Sequence, residues 1–356
     1  MTTNESTSAR TMRAVALTAP RQMHLEERPV PTVADDEVLV RVEAVGVCGS
    51  DVHYYRDGRI GDRMVTQPLV LGHEFAGEVA ELGSAVQGWE PGDRVAVDPT
   101  VPCGQCHFCT QGLVHVCPQV NFSGTPPTDG GYAEFFVARP ANLHRLPEGV
   151  TVAEGAMLEP LAVAVHAVDL AQVQPGETVV VLGAGCIGLT VLQVARERGA
   201  RVVLLSEPLP ARRALAGRSG ANEVVNPRDS DPVERARELT DALGPDVVFE
   251  CAGALETPQH ALDMCRARGR VVWVGIPPGD TVPLSIHEAR RKELTVLMAR
   301  RFLATYPRAI ELVASGRVDV ASLVTHRFGL AGTEAAFSLV DTYDDGVIKA
   351  LIEPQR

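Results

Sequence analysis

Apolar and polar residues alternate along the first part of the chain, as in strands with one buried face. The alternation runs from Met12 to about Ala44 and predicts short antiparallel strands. Further strands are predicted at Phe75–Glu81, Arg94–Val97 and Tyr132–Ala138, which are bounded by glycines. The first 150 residues are therefore predicted to be mostly β-structure, with loops carrying the chemically reactive residues.

The second part of the chain alternates between unbroken apolar strands and helices. It begins with helix-prone sequence from Val152 to Leu170, in which Pro160 suits the first turn of a second helix. From Glu177 to Ala299, six nearly continuous runs of Val, Leu and Ile are separated by helical patterns. This arrangement predicts an α/β fold with a doubly wound parallel sheet.

The length of 356 residues exceeds one ordinary hydrophobic core and suits two domains. We expect a disordered polar tail over residues 1–11 and a nucleotide-binding domain over residues 161–299. The helices and strands predicted after residue 300 are expected to return to the first domain. The catalytic domain would then consist of residues 12–160 and 300–356.

Composition excludes several classes of function. No apolar run approaches the roughly 18 residues that a membrane span requires. A formal net charge of −12 argues against binding to nucleic acid, which normally needs a basic surface. The N-terminal residues lack the apolar core of a signal peptide, so we expect a cytoplasmic protein.

A glycine-rich turn between a strand and a helix predicts a dinucleotide site. Thr178–Leu182 leads into Gly183, Gly185, Ile187 and Gly188, with the spacing G-x-G-x-x-G. These glycines allow a tight turn, close approach to a pyrophosphate and close packing of helix on strand.

The cofactor preference depends on the residues after the next strand. Glu207 stands where a carboxylate accepts hydrogen bonds from the adenosine ribose and repels a 2′-phosphate, which favours NAD. Arg212 is also expected to contact the cofactor, and Arg212 with Arg213 leaves NADP as the alternative.

Four cysteines are crowded near residues 100–118 with the spacing C-x2-C-x2-C-x7-C. They are Cys103, Cys106, Cys109 and Cys117. Four thiolates that close short loops suit a tetrahedral structural zinc. An iron–sulfur cluster is the main alternative. A nucleic-acid zinc ribbon is disfavoured because the lobe is short and the chain is acidic.

A second metal site is predicted from separate stretches. Cys48, His73 and a carboxylate would provide three ligands and leave one position open for substrate, as in catalytic zinc sites. Both Glu74 and Glu159 are available as the carboxylate, and the choice between them stays open.

Taken together, the motifs resemble the zinc-containing medium-chain dehydrogenase/reductase family, in its sorbitol or polyol dehydrogenase branch. The motifs are Cys48–Tyr54, Gly58–Gly61, Gly72–Glu74, Thr125–Gly130, Glu159–Leu161 and Val324–Phe328. Typical alcohol dehydrogenases of the family have a cysteine at the position of Glu159. The resemblance implies a GroES-like β-rich catalytic domain, a Rossmann domain with a six-stranded sheet, and commonly a homotetramer.

The resemblance also implies roles for particular residues. The catalytic zinc would be held by Cys48, His73 and Glu74, with water completing the shell and Glu159 bonded to that water or closing on the metal. With the cysteine lobe, this makes two zinc ions per chain. A proton would leave the substrate hydroxyl through Ser50 and the nicotinamide ribose to His53.

The implied substrate is a polyol, oxidised by hydride transfer to NAD. Tyr54, Phe122 and Arg301 would line its pocket, and Ile187, Val274 and Arg301 are expected to contact the cofactor. The segment Arg300–Pro307 departs from the branch, because Phe302 and Ala304 replace a tyrosine and an asparagine and Arg300 is additional.

These departures leave a different polyol open as the substrate. A sugar acid is the other alternative, as in idonate-type dehydrogenases, with its carboxylate at Arg300 or Arg301. A zinc-free reductase and a non-catalytic nucleotide-binding relative are the remaining alternatives.

Overall fold

A computed structural model describes residues 10–356 of the chain. The predicted tail therefore lies outside the described residues as far as residue 9. The first strand already begins at Thr11, where the backbone pairs with Pro29. No helix in the described part of the chain is long and apolar enough to cross a membrane.

The first part of the chain forms mainly antiparallel strands. They are β1 (Thr11–Ala19), β2 (Gln22–Pro29), β3 (Val38–Gly46), β4 (Arg59–Ile60), β5 (Arg63–Met64), β6 (Leu69–Val70), β7 (Glu74–Leu82), β8 (Arg94–Val97), β9 (Thr100–Val101), β10 (Asn121–Phe122), β11 (Phe135–Ala138) and β12 (Leu143–Arg145). The central pair is β3 with β7, whose register places Gly46 opposite Glu74. Gly46 therefore lies next to Glu74, a predicted zinc ligand, at one end of this strand pair.

The second part forms a six-stranded sheet in which every neighbouring pair is parallel. Its strands are β13 (Thr178–Leu182), β14 (Val202–Ser206), β15 (Glu223–Val225), β16 (Val247–Glu250), β17 (Arg270–Trp273) and β18 (Thr295–Met298). The order β15-β14-β13-β16-β17-β18 has β13 and its glycine-rich turn at the centre. The predicted doubly wound sheet is confirmed.

The last strands of the chain complete the sheet of the first part. They are β19 (Val324–Gly329) and β20 (Lys349–Glu353), and the sheet runs β12-β8-β7-β3-β20-β19, with β11 also paired to β3. In this antiparallel pairing, Leu351 of β20 lies opposite Gly46 of β3. Residues near the C-terminus thus lie beside the end of β3.

Helices pack around both sheets. They are α1 (Gly49–Asp57), α2 (His107–Thr110), α3 (Val152–Ala156), α4 (Leu158–Ala171), α5 (Cys186–Glu197), α6 (Pro210–Arg218), α7 (Pro232–Glu238), α8 (Thr257–Met264), α9 (Ile286–Arg291), α10 (Tyr306–Ala314) and α11 (Thr333–Thr342). Two apolar clusters cover the faces of the parallel sheet, and a third fills the β-rich part. Helix α4 packs on α5 and α10 and also contacts β7, so its first turn lies between the two sheets.

Helix α1 corrects the expectation that Ser50 and His53 lie on a loop. Cys48 is its N-cap residue, and Asp51 completes a capping box with the Cys48 backbone. Gly58 ends the helix in the left-handed conformation with a φ of 68°. The sequence pattern missed this helix because it is short and has weak apolar periodicity.

Candidate active site

Helix α1 presents a thiol and a hydroxyl at its first turn. The Ser50 hydroxyl lies 3.3 Å from Cys48 Sγ and 3.5 Å from His73 Nε2. His73 directly precedes β7, and Glu74 is the first residue of that strand. The ligand atoms of Cys48, His73 and Glu74 all lie within 4.8 Å of one another. A thiolate, an imidazole and a carboxylate at this spacing fit a zinc ion, with Ser50 beside them.

Asp51 supports this group from behind. Its side chain is completely buried, and Oδ1 lies 3.2 Å from His73 Nδ1 as a close ionic contact without the alignment of a hydrogen bond. The Tyr132 hydroxyl donates to Asp51 Oδ2 at 3.1 Å and also lies 2.9 Å from the Gly46 carbonyl. Since Asp51 faces Nδ1, the opposite nitrogen Nε2 points towards Cys48 and Ser50, as a ligand must.

Lys349 makes a buried ion pair with Glu74. Its Nζ lies 2.5 Å from Glu74 Oε2 and donates to the Val47 carbonyl at 3.1 Å. Burial opposes the charge on Lys349, but Glu74 with the thiols of Cys186 and Cys48 raises its pKa well above the usual value. The cation therefore stays charged and fixes one oxygen of Glu74.

Gly46 leaves the space that the Glu74 carboxylate occupies. A Cβ atom at this position would overlap Glu74 Oε2. The sequence analysis assigned no role to Asp51, Lys349 or Gly46. The sequence could have indicated a role for Lys349, because it is one of only two lysines in the chain and interrupts an apolar strand.

Glu159 lies in the first turn of α4 and is buried. Burial raises its pKa to about 8, which His73 opposes and Glu74 reinforces. It lies outside the compact group that unites Cys48, His73 and Glu74 among the described residues. The structure thus brings Glu74 into the group and leaves Glu159 facing it.

His53 follows Ser50 by three residues on α1, so the two side chains share a helical face. Its Nδ1 lies 3.1 Å from Arg56 Nη2 and 3.7 Å from Asp57 Oδ2. Burial, reinforced by Arg56, lowers the pKa of His53, which favours the neutral imidazole that a proton acceptor needs. The half-buried His53 thus lies one helical turn from Ser50 on the same face of α1.

An aromatic ring and an arginine lie over the metal group. The Phe122 ring centroid is 5.4 Å from that of His73. The Arg301 guanidinium lies 4.1 Å from the same Phe122 centroid, as in a cation–π contact. Burial, reinforced by Asp51, raises the pKa of the Tyr54 hydroxyl, and the positive charges of Arg63 and Arg301 oppose this shift. The structure therefore places two of the three predicted substrate residues, Phe122 and Arg301, in contact with each other next to His73.

The neighbours of Arg301 point elsewhere. Arg300 is exposed. Burial is the main cause of the lowered pKa of His115, and the positive charge of Arg300 adds to it, so Arg300 lies on the side of the cysteine lobe. Phe302 is buried in the core, with its ring 5.2 Å from that of Tyr306. Phe302, which replaces the tyrosine of the branch, therefore packs in the core next to the pocket.

The glycine-rich turn connects β13 to α5 as the dinucleotide motif requires. Gly183 has a φ of 97°, and a Cβ atom on Gly188 would overlap the Gly183 carbonyl, so both positions need glycine. Gly185 is the N-cap of α5, whose first backbone N–H groups are thus free for phosphate. Ile187 is the second residue of the helix.

Glu207 follows β14 and is held beside the turn. Its Oε2 accepts from Ala184 N at 2.8 Å, and its Oε1 accepts from Leu209 N at 2.9 Å. Each oxygen retains a second lone pair for a ribose hydroxyl. The residues therefore fit the adenosine end of NAD.

Val274 and Arg212, which are also predicted to contact the cofactor, lie after β17 and on α6. Val274 follows β17 and donates its N–H to the Glu250 carbonyl at 2.8 Å. Arg212 is buried and donates to the Val347 carbonyl at 2.9 Å, with its guanidinium 4.7 Å from the Tyr343 ring centroid. Arg212 thus ties α6 to the segment before β20, while another of its nitrogens faces Gly185.

The four-cysteine lobe has the geometry of a metal site. The sulfurs of Cys103 and Cys109 are 3.9 Å apart, and those of Cys106 and Cys117 are 3.8 Å apart. Four sulfurs placed tetrahedrally around zinc at its usual bond length lie about 3.8 Å from one another. No disulfide joins any of the eight cysteines. The lobe therefore fits a structural zinc.

Comparison with known proteins agrees with this site. Residues 34–148 match the alcohol dehydrogenase GroES-like domain, and residues 186–315 match the zinc-binding dehydrogenase family. Sorbitol dehydrogenase of Bacillus subtilis (strain 168) is 37% identical over 97% of this chain and 98% of its own. Human sorbitol dehydrogenase is 40% identical over 92% of this chain and 91% of its own.

A solved structure shows the same fold over almost the whole chain. It is an oxidoreductase/dehydrogenase of unknown specificity from Escherichia coli, with 35% identity and a TM-score of 0.92. The match covers 97% of this chain and 99% of that one.

Proposed function

The chain belongs to the zinc-containing medium-chain dehydrogenase/reductase family, in its sorbitol dehydrogenase branch, and from this premise we propose how it acts. It is a zinc-dependent polyol dehydrogenase that transfers a hydride from a secondary alcohol of the polyol to NAD, which gives a ketose. The observation that carries the proposal is the group of Cys48, His73 and Glu74 beside Ser50.

The two cofactors supply the parts of the chemistry that side chains cannot. Zinc, when bound, acts as a Lewis acid that acidifies an alcohol, and NAD accepts the hydride. We propose Cys48, His73 and Glu74 as the ligands of the catalytic zinc, with Glu159 next to them. Cys103, Cys106, Cys109 and Cys117 would hold the structural zinc.

The protein's own residues position the substrate and move its proton. The Ser50 hydroxyl, close to both Cys48 and His73, would accept the proton of the substrate hydroxyl. His53, one helical turn further on, would be the last residue of this path and would release the proton to solvent. Phe122, Tyr54 and Arg301 would hold the rest of the polyol and exclude water.

NAD is the proposed cofactor because of Glu207. Its carboxylate is fixed by two backbone N–H groups at the end of β14, where it would repel a 2′-phosphate. Gly183, Gly185, Ile187 and Gly188 would carry the pyrophosphate, and Val274, Arg212 and Arg301 would contact other parts of NAD.

A substrate and cofactor screen tests the proposal. Zinc-loaded protein is incubated with hexitols and pentitols and either NAD or NADP, and formation of the reduced cofactor is followed by absorbance. We expect reduction of NAD with at least one polyol, and loss of that activity after zinc is removed. Absence of reduced cofactor with every polyol, or equal activity in metal-free protein, would contradict the proposal.

We also propose a homotetramer in the cytoplasm. Val296 and Met298 are exposed on β18, which is an edge strand, and such apolar side chains support an interface between copies. Eight cysteines without a disulfide suit a reducing compartment. Light scattering of the purified protein measures the number of subunits. A monomer would contradict the proposed homotetramer.

A further inference from the structure

One buried acid lies at the carboxyl end of β16. Five acids are buried in the described part of the chain, and four of them serve the metal group or the proposed adenosine site: Asp51, Glu74, Glu159 and Glu207. The fifth is Glu250, the last residue of β16, with a relative exposure of 1%. A buried carboxylate costs folding free energy unless hydrogen bonds compensate for its lost hydration. Its hydrogen bonds therefore show which part of the fold it stabilises.

The carboxylate of Glu250 holds the turn that follows β16. Its Oε1 accepts three hydrogen bonds, from Ala252 N at 2.9 Å, from Gly253 N at 2.8 Å and from the Thr257 hydroxyl at 2.8 Å. Burial raises the pKa of Glu250, whereas the three donors oppose this shift because they favour the charged form. The side chain therefore fixes the backbone of the turn that follows its own strand.

The main chain of the same residue holds the turn that follows β17. The Glu250 carbonyl accepts from Val274 N at 2.8 Å and from Gly275 N at 3.0 Å. A Cβ atom on Gly275 would overlap Gly253 N and Glu250 Oε2, so the turns after β16 and β17 are in close contact. Glu250 thus holds both turns, one through its side chain and the other through its carbonyl.

Both turns lie at the edge of the sheet where a dinucleotide binds. Strands β13, β14 and β15 follow one another to one side of the sheet, and β16, β17 and β18 follow one another to the other. A dinucleotide binds at the carboxyl ends of the strands where this order reverses, which is between β13 and β16. A Cβ atom on Gly183 would lie 2.9 Å from Ala252 N, so the glycine-rich turn contacts the turn after β16. The turns held by Glu250 therefore border the proposed NAD site.

These turns lie on the nicotinamide side of that site. Glu207 is proposed to bind the adenosine ribose at the end of β14, so the rest of NAD extends across β13 towards β16 and β17. The loop after β17 also reaches the catalytic domain, where Asp280 pairs with Arg59 of β4 at 3.5 Å. The reacting end of NAD must face the catalytic domain, and it therefore lies over the turns after β16 and β17.

We propose that Glu250 is a positioning residue for the nicotinamide half of NAD and acts through the backbone of the turns after β16 and β17. Val274, which is proposed to contact NAD, lies in the second of these turns. A carboxylate suits this role because one of its oxygens accepts three donors through charge-assisted hydrogen bonds. The inference rests on the proposed NAD-dependent function and adds a positioning residue to it.

The test compares a ligand that has the nicotinamide half with one that lacks it. NADH carries both halves of the dinucleotide, whereas AMP carries the adenosine half alone. Glu250→Gln keeps the size of the side chain but removes its charge, which weakens the bonds from the three donors. Isothermal titration calorimetry of zinc-loaded protein measures both affinities. We expect the Kd for NADH to rise by about tenfold or more and the Kd for AMP to rise by less than about twofold.

Further variants assign the effect to this contact. Thr257→Val removes one of the three donors and should raise the Kd for NADH by about threefold, whereas Thr257→Ser, which retains the hydroxyl, should restore the native Kd. Glu256→Gln is the matched control, because it removes the same charge from an exposed acid in the same segment. It should leave the Kd values for NADH and AMP at their native levels.

Two results would overturn the inference. One is a native Kd for NADH in both Glu250→Gln and Thr257→Val, and the other is an equal loss of AMP and NADH binding, which would show general damage to the domain. If Glu250→Gln does not fold, Thr257→Val and Thr257→Ser decide alone. Since NADH binding needs no polyol, a native protein that binds NADH but oxidises no polyol contradicts the proposed function and leaves this comparison valid.

Discussion

Replacing Lys349 by methionine tests how the metal group is held in place. In the native protein, Nζ lies 2.5 Å from Glu74 Oε2 and both side chains are almost completely buried. Methionine keeps much of the length but carries no charge, so Glu74 would remain buried without its cation. Removal of one partner of a buried ion pair costs about 3–5 kcal/mol of folding free energy.

The cost should depend on zinc. If Glu74 is a metal ligand, zinc supplies positive charge to the same carboxylate and offsets part of the loss. We therefore expect the full loss in metal-free protein and a clearly smaller one in zinc-loaded protein. For a domain of this size, a loss of that magnitude lowers the melting temperature by on the order of 10 °C.

Thermal unfolding by circular dichroism, with zinc and with a chelator, measures both losses. Lys292→Met is the matched control, because Lys292 is the other lysine of the chain and, among the described residues, its Nζ donates to the backbone carbonyls of Leu262 and Asp263 and to no carboxylate. The double variant Lys349→Met/Glu74→Gln should regain most of the stability. If Lys349→Met lost no more than Lys292→Met, the ion pair would not hold the site together, and equal losses with and without zinc would argue against Glu74 as a ligand.

Three further substitutions test other parts of the account. Asp51→Asn should weaken binding of the catalytic zinc by about 10–100-fold in competition with a chelator, since it removes the charge behind His73; unchanged affinity would contradict this. Glu159→Gln should preserve folding and NAD binding but lower kcat by about tenfold or more, and an unchanged kcat would remove Glu159 from the mechanism. Glu207→Ser should reduce the ratio of kcat/KM for NAD to that for NADP, and a constant ratio would show that the carboxylate does not select the cofactor.

The parallel sheet could be predicted from the sequence because its signal is local. Each of its strands is a nearly continuous apolar run, and the glycine-rich turn must follow a strand and precede a helix to bind phosphate. The predicted and observed strand bounds differ little; Thr178–Leu182, for example, is identical to β13. Local pattern and global fold agree in this part of the chain.

The supporting residues of the metal group could not be predicted in the same way. Lys349 meets Glu74 only because β20 lies beside β3, a pairing between residues at opposite ends of the chain. Asp51 stands in a motif that the sequence analysis identified, but its role depends on a buried contact with His73 across two elements. Sequence spacing does not encode such long-range contacts, whereas it did encode the short loops of the cysteine lobe.

Zinc content measured together with activity tests the central claim most directly. Each of the two ligand groups should hold one ion, so the native protein is expected to contain two zinc ions per chain and to reduce NAD with a polyol. Cys48→Ser should retain only the zinc of the cysteine lobe and lose the activity, while Cys109→Ser should lose that structural zinc. A native protein with a single zinc per chain, or a Cys48→Ser variant that still oxidises the polyol, would contradict the account.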